Sequence, residues 1–294
     1  ALSTSLGVPE ALMSRAGAVK CNSWLNTDIS IGNFPIVIYS HGHQSLKIAN
    51  TFQAEEIASN GYIVIAPDHT YDAALTIINE DKIIYTRSKL PNSDEEAEDS
   101  EMIKRVKEQL NIRVEDISFV IDKMIEKFSK DKQFNQSADF ENIGIFGHSF
   151  GGCTAIMAAN NDNRIDAILG LDAYFLPIPN YIIDKDINKP FVHLGQTSWG
   201  DSNNYELMKI WGSNNSQNSF HFSVEGSKHN DFTDFSQFTK LTRKFGSGKV
   251  PRKIMRNIMN DVMLQFFNYH LKSIDNFDVN QFENKYKRVK TYVH

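Results

Sequence analysis

Gly147-His148-Ser149-Phe150-Gly151 is the stretch of this chain that decides its fold. A short apolar run, 143–146, precedes it, and a run of small and apolar residues, 152–159, follows it. This order predicts a strand, a sharp turn with a serine at its apex, and a helix, because glycines leave room for a tight turn. The helix would point N–H groups and its positive dipole end at the serine hydroxyl. Such a serine is suited to acyl transfer through a covalent ester, although close backbone packing alone also accounts for such glycines.

Composition and charge are those of an ordinary globular protein. The chain has 294 residues, 41% hydrophobic and 23% charged, enough for a large α/β domain with a buried core. The net charge is −5 without a long basic run, so nucleic acid is not an expected partner. No apolar run approaches the roughly 20 residues of a membrane span. Two cysteines are too few for a disulfide framework, and we expect Cys153 to be a buried thiol rather than bridged to Cys21.

The chain begins with Ala1 rather than methionine. A removed signal peptide and a trimmed chain both explain such a start. We expect a secreted or periplasmic protein in the first case and a cytoplasmic one in the second.

Strands alternating with helical patterns predict an α/β fold with a mostly parallel central sheet flanked by helices. Six apolar runs have the composition of strands buried on both faces: 35–40, 62–68, 143–147, 167–172, 190–195 and 219–224. Helical patterns cover 46–60, 98–128 and a last segment around 255–267. The acidic run 94–101 indicates a solvated loop and helix start, with a cation site as the alternative. We expect one domain over 1–294, since no repeat or linker divides it.

Partners for Ser149 are expected on loops past the carboxyl ends of the strands, where open α/β sheets bind ligands. Asp172 ends the strand that follows the nucleophile helix, and we favour it as the acid. Asp201, after the next strand, is the alternative acid, and Asp184 and Asp186 are weaker candidates.

His229 is the expected general base. It lies on a polar loop after the last predicted strand, and the order serine, acid, histidine is that of α/β-hydrolases. His193 and His221 lie within predicted strands and are expected to be core histidines.

An oxyanion hole requires two N–H donors. We expect one from Phe150, directly after the serine, and one from His43, on the turn after the first predicted strand. His41 is expected to orient this turn rather than to react.

Four motifs occur in a characteristic order: Tyr39-Ser40-His41-Gly42, Gly147-His148-Ser149-Phe150-Gly151-Gly152, Leu171-Asp172-Ala173 and Ser227-Lys228-His229-Asn230-Asp231-Phe232-Thr233-Asp234-Phe235. Together they resemble the plasma-type (group VII) platelet-activating-factor acetylhydrolase family. The spacings, 23 positions from Ser149 to Asp172 and 57 from Asp172 to His229, are close to the family's pattern. The resemblance runs from about residue 6 to about residue 271.

The resemblance implies a calcium-independent serine esterase of the α/β-hydrolase fold, with no cofactor or metal. Its expected substrates are short-acyl esters, including phospholipid sn-2 acyl groups; a broad-specificity esterase or lipase and a polyester (cutinase-like) hydrolase are the alternatives. It also implies Ser149 as nucleophile, Asp172 as acid, His229 as base, and His43 and Phe150 as oxyanion donors.

The chain departs from the family before and within the turn at His41. The family's further N-terminal strands, with a Trp-Tyr-Pro-like segment, are missing before this turn, so we expect the sheet to lack them. Gln44 stands where members often have an apolar or small residue, and is expected to shape the substrate pocket with Tyr174 and Phe175.

Other interpretations follow from other residues. His41 and His43, with His69, suggest a zinc hydrolase, and a catalytically silent fold used for binding is a third possibility. Contact with a lipid surface is expected if residues 9–13 and the phenylalanines at 232, 235 and 238 form an exposed patch.

Overall fold

A computed structural model describes residues 9–11, 14, 19–90, 100–197, 199, 202–215, 219–238, 240–274 and 276–293. Its strands are β1 (Phe34–Ser40), β2 (Ile63–Ile65), β3 (Leu75–Asn79), β4 (Lys82–Tyr85), β5 (Ala138–His148), β6 (Ile165–Leu171), β7 (Phe191–Gln196), β8 (Ser219–Val224) and β9 (Val289–Val293). Its helices are α1 (Thr51–Ser59), α2 (Ser100–Phe128), α3 (Lys132–Asn135), α4 (Phe150–Asn161), α5 (Asn180–Ile183), α6 (Ser202–Asn214), α7 (Phe235–Phe238), α8 (Arg252–Lys272) and α9 (Asn280–Lys285). Two short 3-10 helices, His229–Phe232 and Lys240–Phe245, flank α7.

Seven strands form one sheet in the order β2-β1-β5-β6-β7-β8-β9. All neighbours are parallel except β8 and β9, which run antiparallel. The predicted α/β fold with a mostly parallel sheet is therefore confirmed. Strands β3 and β4 form a separate antiparallel hairpin.

The sheet is buried on both faces because its strands alternate their side chains between two layers of helices. Ile36 and Ile38 of β1 face a layer built from α2, α4 and α6. Val37 and Tyr39, one position out of phase, face a layer that contains α1 and α8. This packing fixes the carboxyl ends of the strands at one edge of the molecule.

Strand boundaries differ from the predictions where proline or register intervenes. The run 62–68 forms a strand only over Ile63–Ile65, and Pro67, which lacks an N–H donor, lies just beyond it. Strand β5 begins earlier than predicted, at Ala138, because 138–139 pair with 34–35 before a register shift. The hairpin, β9 and α6 have no counterpart among the predicted elements.

Both cysteines are free, Cys21 exposed and Cys153 fully buried in α4, in agreement with the expected thiol. Most of the acidic run, 94–99, lies outside the described residues. None of the helices within the described ranges has the length and apolar character to cross a membrane.

Candidate active site

Ser149 stands at the sharp turn between β5 and α4. Its backbone combines a positive φ of 56° with a ψ of −119°, which a non-glycine residue adopts only when its surroundings impose it. A Cβ on Gly147 would lie 2.1 Å from the carbonyl oxygen of Gly151, and one on Gly151 would lie 2.0 Å from that of Ser40. Both glycines are therefore required by close backbone approach.

Asp172 and His229 form a hydrogen-bonded pair beside this turn. His229 Nδ1 lies 2.6 Å from Asp172 Oδ2, and the carboxylate is fully buried at the end of β6. The carboxylate also accepts from the backbone N–H of Gln196 (3.0 Å), from its side-chain amide (2.9 Å) and from the Tyr205 hydroxyl (2.7 Å). These donors hold Asp172 with its remaining lone pair toward His229, and the bond makes Nδ1 the protonated nitrogen.

Two aromatic rings contact the imidazole of His229. The His148 ring lies 4.5 Å away, centroid to centroid, and the Trp199 ring contacts it edge-on at 4.7 Å. Nε2 of His148 lies 3.1 Å from the carbonyl oxygen of His229, so this nitrogen carries the proton and donates. Burial, followed by the nearby His229, lowers the pKa of His148 to about 3, so His148 is neutral near pH 7.

The turn after β1 lies against the serine. A Cβ on Gly42 would lie 3.4 Å from Cβ of Ser149. The backbone N–H groups of His43 and Phe150 donate to no acceptor among the residues that the structure describes. Their assignment as the two oxyanion donors stays a prediction.

His41, on this turn, and His69, which lies beside it, have their ring nitrogens hydrogen-bonded to other groups of the protein. His41 Nδ1 donates to the carbonyl of Gly42 (2.7 Å), and its Nε2 accepts from the backbone N–H of His69 (3.0 Å). His69 contacts the Ser40 hydroxyl (3.0 Å) and Asp116 (2.9 Å) through its two ring nitrogens. No group of three or more metal-ligating side chains forms within the described ranges. The two bonds of His41 are consistent with its predicted role in orienting the turn, which stays a prediction.

A cavity of about 580 Å³ opens at the serine. Its polar end contains Ser149, His229, His148 and residues 42–45. Its other walls are mainly apolar, formed by Leu46, Ile48, Phe52, Phe235, Phe238 and Phe245. A site with a nucleophile at one end and an apolar body suits an ester with a hydrocarbon group.

The pocket residues expected from sequence are only partly at this cavity. Gln44 lines it, whereas Phe175 is fully buried among Phe191, His193 and Trp211. Tyr174 stacks on Trp199 and is not among the lining residues. Phe175 does not line the opening because its side chain packs into the core. Tyr174 is half-buried, and its backbone N–H donates to the carbonyl of Ser149, so its place in the substrate pocket stays a prediction.

The expected lipid-facing stripe is not one exposed surface. Phe232 is fully buried, while Phe235 and Phe238 line the cavity. The chain changes from a 3-10 turn to α7 between them, so a spacing of three does not keep one face. Residues 12 and 13 of the other proposed patch lie outside the described residues.

The remaining candidates from sequence lie elsewhere. Asp201 is outside the described residues. Asp184 ends α5, and Asp186 accepts from the backbone N–H of Asn188. His193 is buried and its Nε2 accepts from the backbone N–H of Ala173, as expected for a core histidine; His221 is also buried.

Sequence reasoning missed Gln196, Tyr205 and Trp199. Gln196 is the last residue of β7, so the rule that selected Asp172 at the end of β6 also points to it. Tyr205 lies on α6, which was not predicted, and no sequence signal places it against Asp172.

The site has the arrangement of the α/β-hydrolase class. A central strand of a mostly parallel sheet leads through a strained serine turn into a helix, and an Asp–His pair lies beyond the ends of later strands. The family model and the curated relatives assign the chain to the ester hydrolases of this class. The chain belongs to the family described as platelet-activating factor acetylhydrolase, isoform II, whose model matches residues 6–291.

Individual relatives are distant but match most of the chain. It is 26% identical to platelet-activating factor acetylhydrolase of Canis lupus familiaris, covering 94% of this chain and 67% of that protein. It is 25% identical to that of Gallus gallus, covering 94% and 73%. Among solved structures, a ferulic acid esterase from Streptomyces cinnamoneus superposes with a TM-score of 0.70 at 24% identity, covering 88% of this chain and 74% of that one. This last likeness concerns the fold.

Proposed function

We propose that the chain is a serine hydrolase of short-acyl carboxylic esters, with phospholipid sn-2 acyl groups as one substrate class. The observation that carries the proposal is the 2.6 Å bond between His229 and Asp172 in a cavity that His229 shares with the strained Ser149. The preference for short acyl groups is supported by the name of the relatives, which are acetylhydrolases.

The first half of the reaction forms an acyl-enzyme. Ser149 Oγ attacks the ester carbonyl carbon while His229 Nε2 takes the hydroxyl proton. Asp172 holds Nδ1–H and stabilises the imidazolium that forms. The N–H groups of His43 and Phe150 stabilise the oxyanion of the tetrahedral intermediate. The intermediate collapses, the carbon–oxygen bond of the leaving alcohol breaks, and His229 returns the proton to that alcohol.

The second half releases the acid. A water molecule takes the place of the alcohol, His229 removes its proton, and the hydroxide oxygen attacks the acyl carbon. Collapse of this second intermediate breaks the bond to Ser149 Oγ, which regains its proton from His229. The enzyme is restored without any redox change.

The test compares wild type and Ser149→Ala on p-nitrophenyl esters from acetate to palmitate, and then on phosphatidylcholines with short or long sn-2 chains. We expect turnover that falls with chain length, and a loss of about 10⁴-fold or more in kcat in the variant. The variant must keep the wild-type circular dichroism spectrum. Undiminished activity of folded Ser149→Ala would refute the proposal, and no turnover by wild type would support a silent fold.

Chain length separates the neighbouring alternatives. Turnover that hardly changes from acetate to palmitate would support a broad-specificity esterase or lipase. Release of soluble acid from a polyester film would support a cutinase-like hydrolase.

A further inference from the structure

Arg113 is a buried cation that the triad does not use. It lies on the inner face of α2, between Leu110 and Val114, and its side chain is 1% exposed. Its Nη1 donates to Asp72 Oδ2 at 2.8 Å, and Asp72 is also buried. A buried ion pair is costly to desolvate, so its contacts indicate what it holds in place.

Arg113 and Asp72 both form hydrogen bonds with the turn that carries His43. Nη2 of Arg113 donates to the carbonyl of His41 and lies 3.3 Å from the Ser40 hydroxyl. The backbone carbonyl of Asp72 accepts from the backbone N–H of Gln44 at 3.2 Å. The N–H of His43 thus lies between two anchored residues.

The same guanidinium also contacts the other side of the proposed oxyanion hole. Its central carbon lies 4.9 Å from the centre of the Phe150 ring, in the geometry of a cation–π contact. Arg113 therefore contacts Phe150 directly and the turn of His43 through the carbonyl of His41.

The carboxylate of Asp72 is held in turn. Its Oδ1 accepts from the Ser88 hydroxyl at 2.9 Å, and the Ser88 carbonyl accepts from the Gln44 amide at 3.1 Å. Burial alone would raise the pKa of Asp72, but Arg113 and Gln109 outweigh it and lower this pKa to about 2. The pair is therefore ionised throughout the neutral range.

We propose that Arg113, held by Asp72, is the positioning residue of the oxyanion hole, fixing the N–H groups of His43 and Phe150 relative to Ser149. The inference rests on the proposed function, because it concerns the same ester-hydrolysing site. Lysine cannot replace arginine here: one ammonium cannot bond Asp72 and the His41 carbonyl in a planar fork while stacking on Phe150.

The experiment compares Arg113→Lys with wild type on p-nitrophenyl acetate. We expect kcat to fall about 10- to 100-fold with KM within about twofold, since donors are misplaced in the transition state while ground-state binding is kept. Inactivation by an organophosphonate should slow by a similar factor, because its adduct needs the same donors. The matched control is Arg164→Lys. Arg164 pairs with Asp162 just before β6, at the end of that strand remote from Asp172, so the variant should leave kcat and the rate of inactivation unchanged.

Thermal melting tests whether Arg113→Lys is folded. If this variant does not fold, Phe150→Leu replaces it, because leucine keeps the backbone N–H donor and removes the ring that contacts Arg113. The same loss of kcat at constant KM is expected. Wild-type kcat in a folded variant, or an equal loss in Arg164→Lys, would overturn the inference. Ser149→Ala is assayed in parallel: if it is active, the proposed function itself fails, whereas an inactive Ser149→Ala with an unimpaired Arg113→Lys refutes only the role of Arg113.

Discussion

Asp172 accepts hydrogen bonds from Gln196 and Tyr205 as well as from His229, so its orientation is fixed before any substrate arrives. In Asp172→Asn the amide keeps the shape but can present an N–H to His229 and favour the wrong tautomer. We expect kcat to fall about 10³- to 10⁴-fold, with KM little changed.

The control for this variant is Asp166→Asn. Asp166 lies at the other end of the same strand, where it accepts from the backbone N–H of Ile143. The two variants are compared by steady-state kinetics on p-nitrophenyl acetate. Near wild-type kcat in Asp172→Asn would remove Asp172 from the triad and make Asp201 the acid to test next.

His148 links the site to the acid stability of the protein. Burial lowers its pKa to about 3 in the folded state, whereas an unfolded histidine titrates near 6.5. Between these values the unfolded state binds more protons, so stability falls as the pH falls. By linkage, the titration of His148 alone lowers the free energy of unfolding by about 2 kcal/mol as the pH falls from 7 to 5.

Urea unfolding of wild type and His148→Gln at both pH values measures this contribution. Glutamine can still donate to the His229 carbonyl but does not titrate. We expect the variant to lose about 2 kcal/mol less than wild type on acidification. Equal losses in the two proteins would mean that His148 is not held neutral by burial.

Single residues show where sequence reasoning is strong and where it ends. Ser149, Asp172 and His229 could be selected because strand ends of a parallel sheet meet at one edge, which depends only on strand order. Arg113 could not be selected, because its surroundings depend on Asp72, forty-one positions away, folding onto α2. Its position beside Leu110 and Val114 in an amphipathic helix carries no signal for a buried ion pair.

At the scale of elements, α7 forms a wall of the cavity with Phe235 and Phe238, whose rings contact edge to face at 6.3 Å. Removing the Phe238 ring would lengthen the apolar space available to the substrate. We expect Phe238→Ala to raise kcat/KM for p-nitrophenyl hexanoate relative to acetate by about tenfold, since the burial of even one further methylene in an apolar pocket contributes roughly 1–3 kcal/mol.

Phe119→Ala provides the comparison, because Phe119 is exposed on α2. Its hexanoate-to-acetate ratio should equal that of wild type. An unchanged ratio in Phe238→Ala would show that the acyl group does not occupy the part of the cavity beside α7.

Elements were predictable where their burial is uniform. The central strands β1, β6, β7 and β8, and β5 from Ile143 onward, are buried over nearly their whole length and are mostly apolar, as a sheet covered on both faces requires. Strand β9 was missed because it contains Lys290 and Thr291 and pairs at the sheet edge. Helix α6 was missed because its asparagines and its glycine obscure the helical pattern.

At the scale of the whole molecule, the cavity is assembled from segments distant in sequence. Residues 19–21, the turn after β1, α1 and the segment 229–245 all contribute to its walls. The first segment is held there by Glu55, which accepts from the Asn22 backbone and the Ser23 hydroxyl. Such pairings depend on tertiary packing, so the cavity was beyond sequence analysis, and one domain over 1–294 stays a prediction.

The two thiols report on this packing. Cys21 is exposed, whereas Cys153 lies in α4 between the sheet and α2, and burial raises the pKa of its thiol well above the usual range. A buried thiol reacts only when the surrounding structure opens, and core helices open with the whole fold. We therefore expect one thiol to react rapidly with Ellman's reagent in native protein and a second only in denaturing urea.

The variant Cys21→Ser assigns the two signals. It should show no rapid thiol in the native state and one in urea, with the appearance of the second signal following the unfolding curve measured by circular dichroism. Because neither cysteine is in a disulfide, a reductant should leave the unfolding midpoint unchanged. Rapid reaction of Cys153 in native Cys21→Ser would contradict the tight packing of α4, and with it the rigid support that the strained turn at Ser149 requires.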